Sequence, residues 1–107
     1  MPYIIVSGWY PTHIVKEATD AYMEVLKQMP FDRSLGKETI PVAVSSGRNG
    51  IKFHSVMEVK EGKLEEASRW VSKRLTPFQS IKGLEYKIRI WNTIVEALEN
   101  IGMSLPG

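Results

Sequence analysis

The chain has 107 residues, 43% hydrophobic and 24% charged, which is the ordinary range for one soluble globular domain, so residues 1–107 are expected to share a single core. Fourteen Lys and Arg stand against twelve Asp and Glu with both signs interspersed, so no polybasic arm advertises nucleic acid or an anionic membrane. The absence of cysteine excludes a disulfide framework, a thiol nucleophile and a Cys-based zinc site. Met1 to Tyr10 lacks the basic start of a signal peptide, and no apolar run approaches the ~20 residues that span a bilayer; the expected location is therefore cytoplasmic.

Tyr3 to Tyr10, rich in aromatic and β-branched residues, reads as a first strand. Pro11-Thr12 stops it, with Thr12 the expected N-cap of a helix. Ile14, Val15, Ala18, Ala21, Tyr22, Val25, Leu26 and Met29 recur at helical spacing, and Pro30 ends the run. A loop is expected from Pro30 to Lys37, then a hairpin with strands near Thr39 to Ser45 and Gly50 to Lys60, turned at Asn49-Gly50 by residues that tolerate positive φ. Pro41, which has no donor, places the first hairpin strand at an edge. Leu64, Ala67, Trp70 or Val71, and Leu75 predict a second helix. Thr76-Pro77 interrupts it and opens a short helical segment carrying Phe78 and Ile81. Leu84, Tyr86, Ile88 and Ile90 alternate with Glu85, Lys87, Arg89 and Trp91 in a fourth strand. Thr93-Ile94-Val95-Glu96 has the spacing of a capping box, starting a C-terminal helix that stops at Gly102; residues 103–107 are expected to form a flexible tail.

The order β-α-β-β-α-β plus a final helix is the split βαβ arrangement of a ferredoxin-like α+β domain, in which helices cover one face of a four-stranded antiparallel sheet. Ile51, Phe53, Met57 and Val59 would face the helices. Lys52, His54, Val56 and Glu58 would share the other face with Glu85, Lys87, Arg89 and Trp91. On this element order and these strand positions, the chain resembles the dimeric α+β-barrel superfamily, whose protomers face each other sheet to sheet. That superfamily includes antibiotic-biosynthesis-type monooxygenases, haem-degrading enzymes and muconolactone-isomerase-like proteins. The resemblance implies a homodimer with a sheet-side cavity for a small organic ligand and acid/base or oxidative chemistry. Fold alone does not choose among these activities.

His54 is the candidate catalytic residue, because an imidazole on the polar face of a central strand can exchange protons near neutral pH. Arg89 would orient an anionic group, Lys52 and Glu58 would add charge, and Trp9 and Trp91 would line the cavity. Trp9, Tyr10 and His13 also stand where the first strand meets the first helix, the mouth of a pocket there. Two histidines without HxxxH or HExxH spacing predict no metal site, and no cofactor is expected. A haem would depend on His54 or His13 as axial ligand, neither with a distinctive flank. Ser45 to Gly50 has the composition of an anion-binding nest and equally of an ordinary hairpin turn. Gly50 to Val56 does not reproduce the RNP1 pattern and Phe53 would face the helices, which argues against RNA. The competing reading is a noncatalytic assembly or regulatory module whose polar face meets its own copy or a protein partner.

Overall fold

The computed structural model describes residues 1–106; Gly107, the end of the expected tail, lies outside them. Strands β1 (Tyr3–Tyr10), β2 (Gly36–Gly47), β3 (Gly50–Val59) and β4 (Glu85–Trp91) form one antiparallel sheet in the order β2-β3-β1-β4. Helices α1 (Val15–Gln28), α2 (Leu64–Leu75) and α3 (Ile94–Asn100) follow β1, β3 and β4, making an α+β fold. The first strand, the second helix and the capping box lie where the sequence places them.

The differences have local causes. Thr12 does not cap α1: Thr12–Ile14 is a 3₁₀ turn in which Ile14 N–H donates to the Pro11 carbonyl at 3.1 Å, and α1 begins after it. β2 is longer than expected, because its first residues pair with the end of β3, Gly36 with Val59 and Lys37 with Glu58. The preceding loop is tightened by Asp32, whose Oδ1 accepts from the Ser34 N–H and hydroxyl at 2.9 and 2.6 Å. At the hairpin only Gly50 takes a positive φ, +119°; Asn49 does not. A Cβ on Gly50 would also lie 2.6 Å from the Tyr10 carbonyl oxygen, so the turn requires glycine there.

α1 and α2 cover one face of the sheet. Ile4 and Val6 of β1 and Met57 and Val59 of β3 pack against Ala67 and Val71 of α2, with Leu35 closing the cluster from its loop. Tyr10 and Ile51 receive Ala18 of α1, while Val25 meets Phe78 and Ile81 around the 3₁₀ segment Thr76–Ser80. α3 adds no residue to these clusters. It is held by its Thr93/Glu96 capping box, by a C-terminal Schellman pair in which Met103 N–H donates to Leu98 and Gly102 N–H to Glu99, and by the Met1 amino group, which donates to Glu96 Oε2 at 2.9 Å. Residues 41–49 and 99–106 are exposed throughout. The radius of gyration is accordingly 15.7 Å, against about 13 Å for a compact chain of this length.

Candidate functional site

The strand register resolves the two faces of the sheet into rows. On the face away from α1 and α2, one row runs Trp91, Tyr3, Glu58, Lys37; the next Arg89, Ile5, Val56, Ile40; then Lys87, Ser7, His54, Ala43; and finally Glu85, Trp9, Lys52, Ser45. None of these residues is buried. All six residues expected to form a site, Trp9, Lys52, His54, Glu58, Arg89 and Trp91, therefore share this open face, but they are spread across it.

His54 is exposed between Ser7 and Ala43. Arg89 is two strands and two residues away, roughly 12 Å between Cα atoms from strand spacings, and Glu58 lies four residues along β3, roughly 13 Å. Neither supplies His54 with a hydrogen-bond partner. The Arg89 Nη1 instead donates to the Ile88 carbonyl at 3.1 Å. Trp9 serves the fold, since its indole Nε1 donates to the Asn49 carbonyl at 2.6 Å and ties β1 to the hairpin turn. Trp91 and Glu58 flank Tyr3 at one end of the face, and Trp9 and Lys52 are paired at the other. His13 is exposed in its 3₁₀ turn. Among the described residues, no three His, Cys, Asp or Glu side chains are grouped to hold a metal ion, and no helix is long and apolar enough to cross a membrane.

The principal cavity lies on the covered side of the sheet, and none of those six residues lines it. Its volume is about 160 Å³. α1 contributes Ala18, Thr19, Tyr22 and Val25, and the sheet contributes Tyr10, Phe53 and Ser55 as a floor. Pro41, Val42 and Val44 of the edge strand close one side. Small side chains leave this space: Ala18 on the helix and Ser55 on the central strand both end within a bond or two of the backbone. Gly8 belongs to the same facing row as Phe53, and a Cβ there would lie 2.2 Å from the Phe53 ring, so its absence lets that ring lie across β1. The edge strand bends around the opening because its register slips twice, between Glu38 and Ile40 and between Ile40 and Ala43. Pro41 lies in the second slip, where its missing donor costs the ladder nothing. Of the expected pocket mouth, Tyr10 does line this cavity, whereas Trp9 faces the other side of the sheet.

Among the described residues Arg74 is the only charged one in the cavity wall, and it also borders a smaller hollow of about 60 Å³ beside it. Its side chain retains 16% of its exposure. The guanidinium carbon lies 4.8 Å from the centre of the Trp70 ring, which Phe31 braces edge-on at 5.5 Å. Glu38 Oε2 approaches Nη1 at 4.0 Å, the outer limit of an ion pair. The enclosed Nε–H has no acceptor. Burial pushes the Arg74 pKa below its ordinary value, with Glu38 opposing that shift. Enclosing such a donor without a protein acceptor costs about 1–3 kcal/mol.

The sequence signal for Arg74 is its spacing: with Ala67 and Val71 it occupies positions i, i+4 and i+7 of one helix, which puts a charged residue on the apolar stripe of α2. Searches against protein-family models, curated proteins and solved structures return no match for this chain.

Proposed function

We propose that the protein binds a small organic molecule in the cavity between α1 and the sheet, and that it does so as a homodimer of ferredoxin-like protomers joined through their open faces, a dimeric α+β barrel. The observation that carries the ligand reading is the cavity itself, an apolar space of about 160 Å³ with a single charged group in its wall. A well-packed interior of this size keeps few voids larger than a water molecule. The pairing of protomers is supported by the open face, where Tyr3, Ile5 and Val56 lie in adjacent rows without a cover, and by the extended shape of the chain. The cavity is lined by tyrosines, Thr19, Ser55, an arginine and apolar groups, with no carboxylate or imidazole among them, which favours binding over proton transfer.

The competing reading, a noncatalytic assembly module, is favoured by one observation. Trp91, Ile94, Val95, Ile101 and Leu105 are large apolar side chains, each about half exposed or more, along the end of β4, α3 and the following residues. Native mass spectra of gently purified protein across a concentration series separate the two readings. A dimer that carries a reproducible extra mass, absent from the denatured spectrum, is the expected result. A ligand-free dimer or higher oligomer that also takes up no small organic molecule from an added panel favours the assembly module. A monomer at every concentration overturns the barrel.

A further inference from the structure

The chemistry of the cavity wall limits what the cavity can hold. Its volume, about 160 Å³, matches the roughly 150 Å³ that accepts a single benzene-sized molecule and falls well below the ~300 Å³ at which sites for larger ligands begin. One ring, or a chain of similar bulk, fills it. The aromatic walls, Tyr10, Tyr22, Phe53, Phe78 and Tyr86, suit a ring. The decisive group is Arg74. One of its faces is stacked on Trp70 and Glu38 approaches only Nη1, at 4.0 Å, so the protein does not use all of its donors. A guanidinium is a planar fork of donors, and its paired N–H groups suit a carboxylate that accepts in bidentate fashion. Among the described residues no carboxylate lines the main cavity; Glu38 lines only the smaller hollow beside Arg74.

From this geometry we infer that the ligand is a small amphipathic carboxylate, a single-ring aromatic acid or a short-chain acid of equal bulk, with its apolar part among the cavity aromatics and its carboxylate on the guanidinium of Arg74. The inference rests on the ligand-binding reading above and names the class of molecule for that same site. It also accounts for an arginine at a helix position that packing alone would give to an apolar residue.

The test uses two probes of the same shape and different charge, benzoate and benzamide, titrated into the full chain at neutral pH and followed by ¹H–¹⁵N and methyl NMR. Benzoate is expected to bind about tenfold or more tighter than benzamide, as a charge-assisted bidentate contact requires. It should shift the Arg74 Nε–H signal together with the Val42 and Val44 methyls. In Arg74→Gln the preference should shrink to within about twofold. Benzamide binding as tightly as benzoate, with the same methyls moving, overturns the carboxylate assignment and leaves the ligand-binding reading standing. No shift at any cavity residue with either probe at millimolar concentration overturns both. Should Arg74→Gln fail to fold, the wild-type affinity ratio and the Nε–H shift decide the matter by themselves.

Discussion

Ile4 and Ile5 are neighbours in β1 and point to opposite sides of the same sheet. Ile4, at 1% exposure, is enclosed by α2, and its row continues to Met57. Ile5 is only half-buried, and its row runs to Arg89 on one side and Val56 on the other. The difference is one of cover: on the helix side, volume decides what fits, and a deficit of volume becomes a cavity. On the open side neither α1 nor α2 covers the strands, so the same strands mix charge with large apolar groups. A partner surface is what such a mixture suits, and a small enclosed ligand is what the other side suits.

The largest expected effect tests that contrast directly. Ile4→Ala should destabilise the fold by about 2–5 kcal/mol, the range for truncating an enclosed isoleucine. Ile5→Ala should cost about 1 kcal/mol or less in dilute solution, where its face is wet, and more as concentration rises if that face pairs with a second copy. Urea unfolding of both variants at two protein concentrations measures this. An Ile5→Ala loss equal to that of Ile4→Ala at every concentration would mean that the two faces are equally covered in solution.

Next in size is Gly8→Ala. The new methyl would lie 2.2 Å from Phe53 Cζ and 2.5 Å from the Glu85 carbonyl oxygen. Overpacking of this kind costs about 1–3 kcal/mol. Shortening the ring in Gly8→Ala/Phe53→Leu should recover only part of the loss, because the backbone contact with Glu85 remains; a double-mutant cycle by thermal or urea unfolding gives the coupling. Full additivity of the two substitutions would show that the Phe53 ring does not rest against Gly8.

How much of this is legible in the sequence follows from how local each cause is. The alternation of Ile51 to Val59 is readable because only one face of β3 is covered, and the Thr93-to-Glu96 spacing is readable because a capping box is complete within four residues. The bounds of β2 are not, since Gly36 and Lys37 become strand by pairing with Val59 and Glu58. Two register slips around Pro41 then break the alternation that would have marked which residues face the helices. The alternation of β3 and β4 puts His54 and Arg89 on one face, yet a shared face does not bring side chains into contact, and the distance between their rows follows from the strand order β2-β3-β1-β4. Arg74 shows the limit most clearly. Its place on the apolar stripe of α2 is written in the spacing, but its meaning depends on Trp70, Glu38 and the space left by Ala18 and Ser55, which come from four elements.

A smaller effect separates α3 from the covered core. Thr93 Oγ1 accepts the Glu96 N–H at 3.1 Å, and Thr93→Ala should cost α3 about 1 kcal/mol. Because α3 shares no core cluster, the loss should appear in the hydrogen exchange of its own amides while the amides of α2 and β3 keep their protection. Equal loss of protection in both regions would show α3 to be part of the cooperative core.

The smallest effect is the pH dependence of that same cap, and its sign is fixed by the carboxylate. Glu96 Oε1 accepts the backbone N–H of Thr93 at 2.8 Å, and this bond is the main cause holding the Glu96 pKa below its ordinary 4.5. A carboxyl whose pKa is lower in the folded helix than in the unfolded chain adds stability that is fully present above 4.5 and is lost as pH falls through the lowered value. Amide protection in α3 should therefore hold steady from neutrality down to that range and then decline in acid before the core does. Glu96→Gln keeps an oxygen that can accept from Thr93 but removes the charge, so it should flatten the decline. An unchanged acid decline in Glu96→Gln would transfer the dependence to another group and leave the capping bond as a contact without a titrating role.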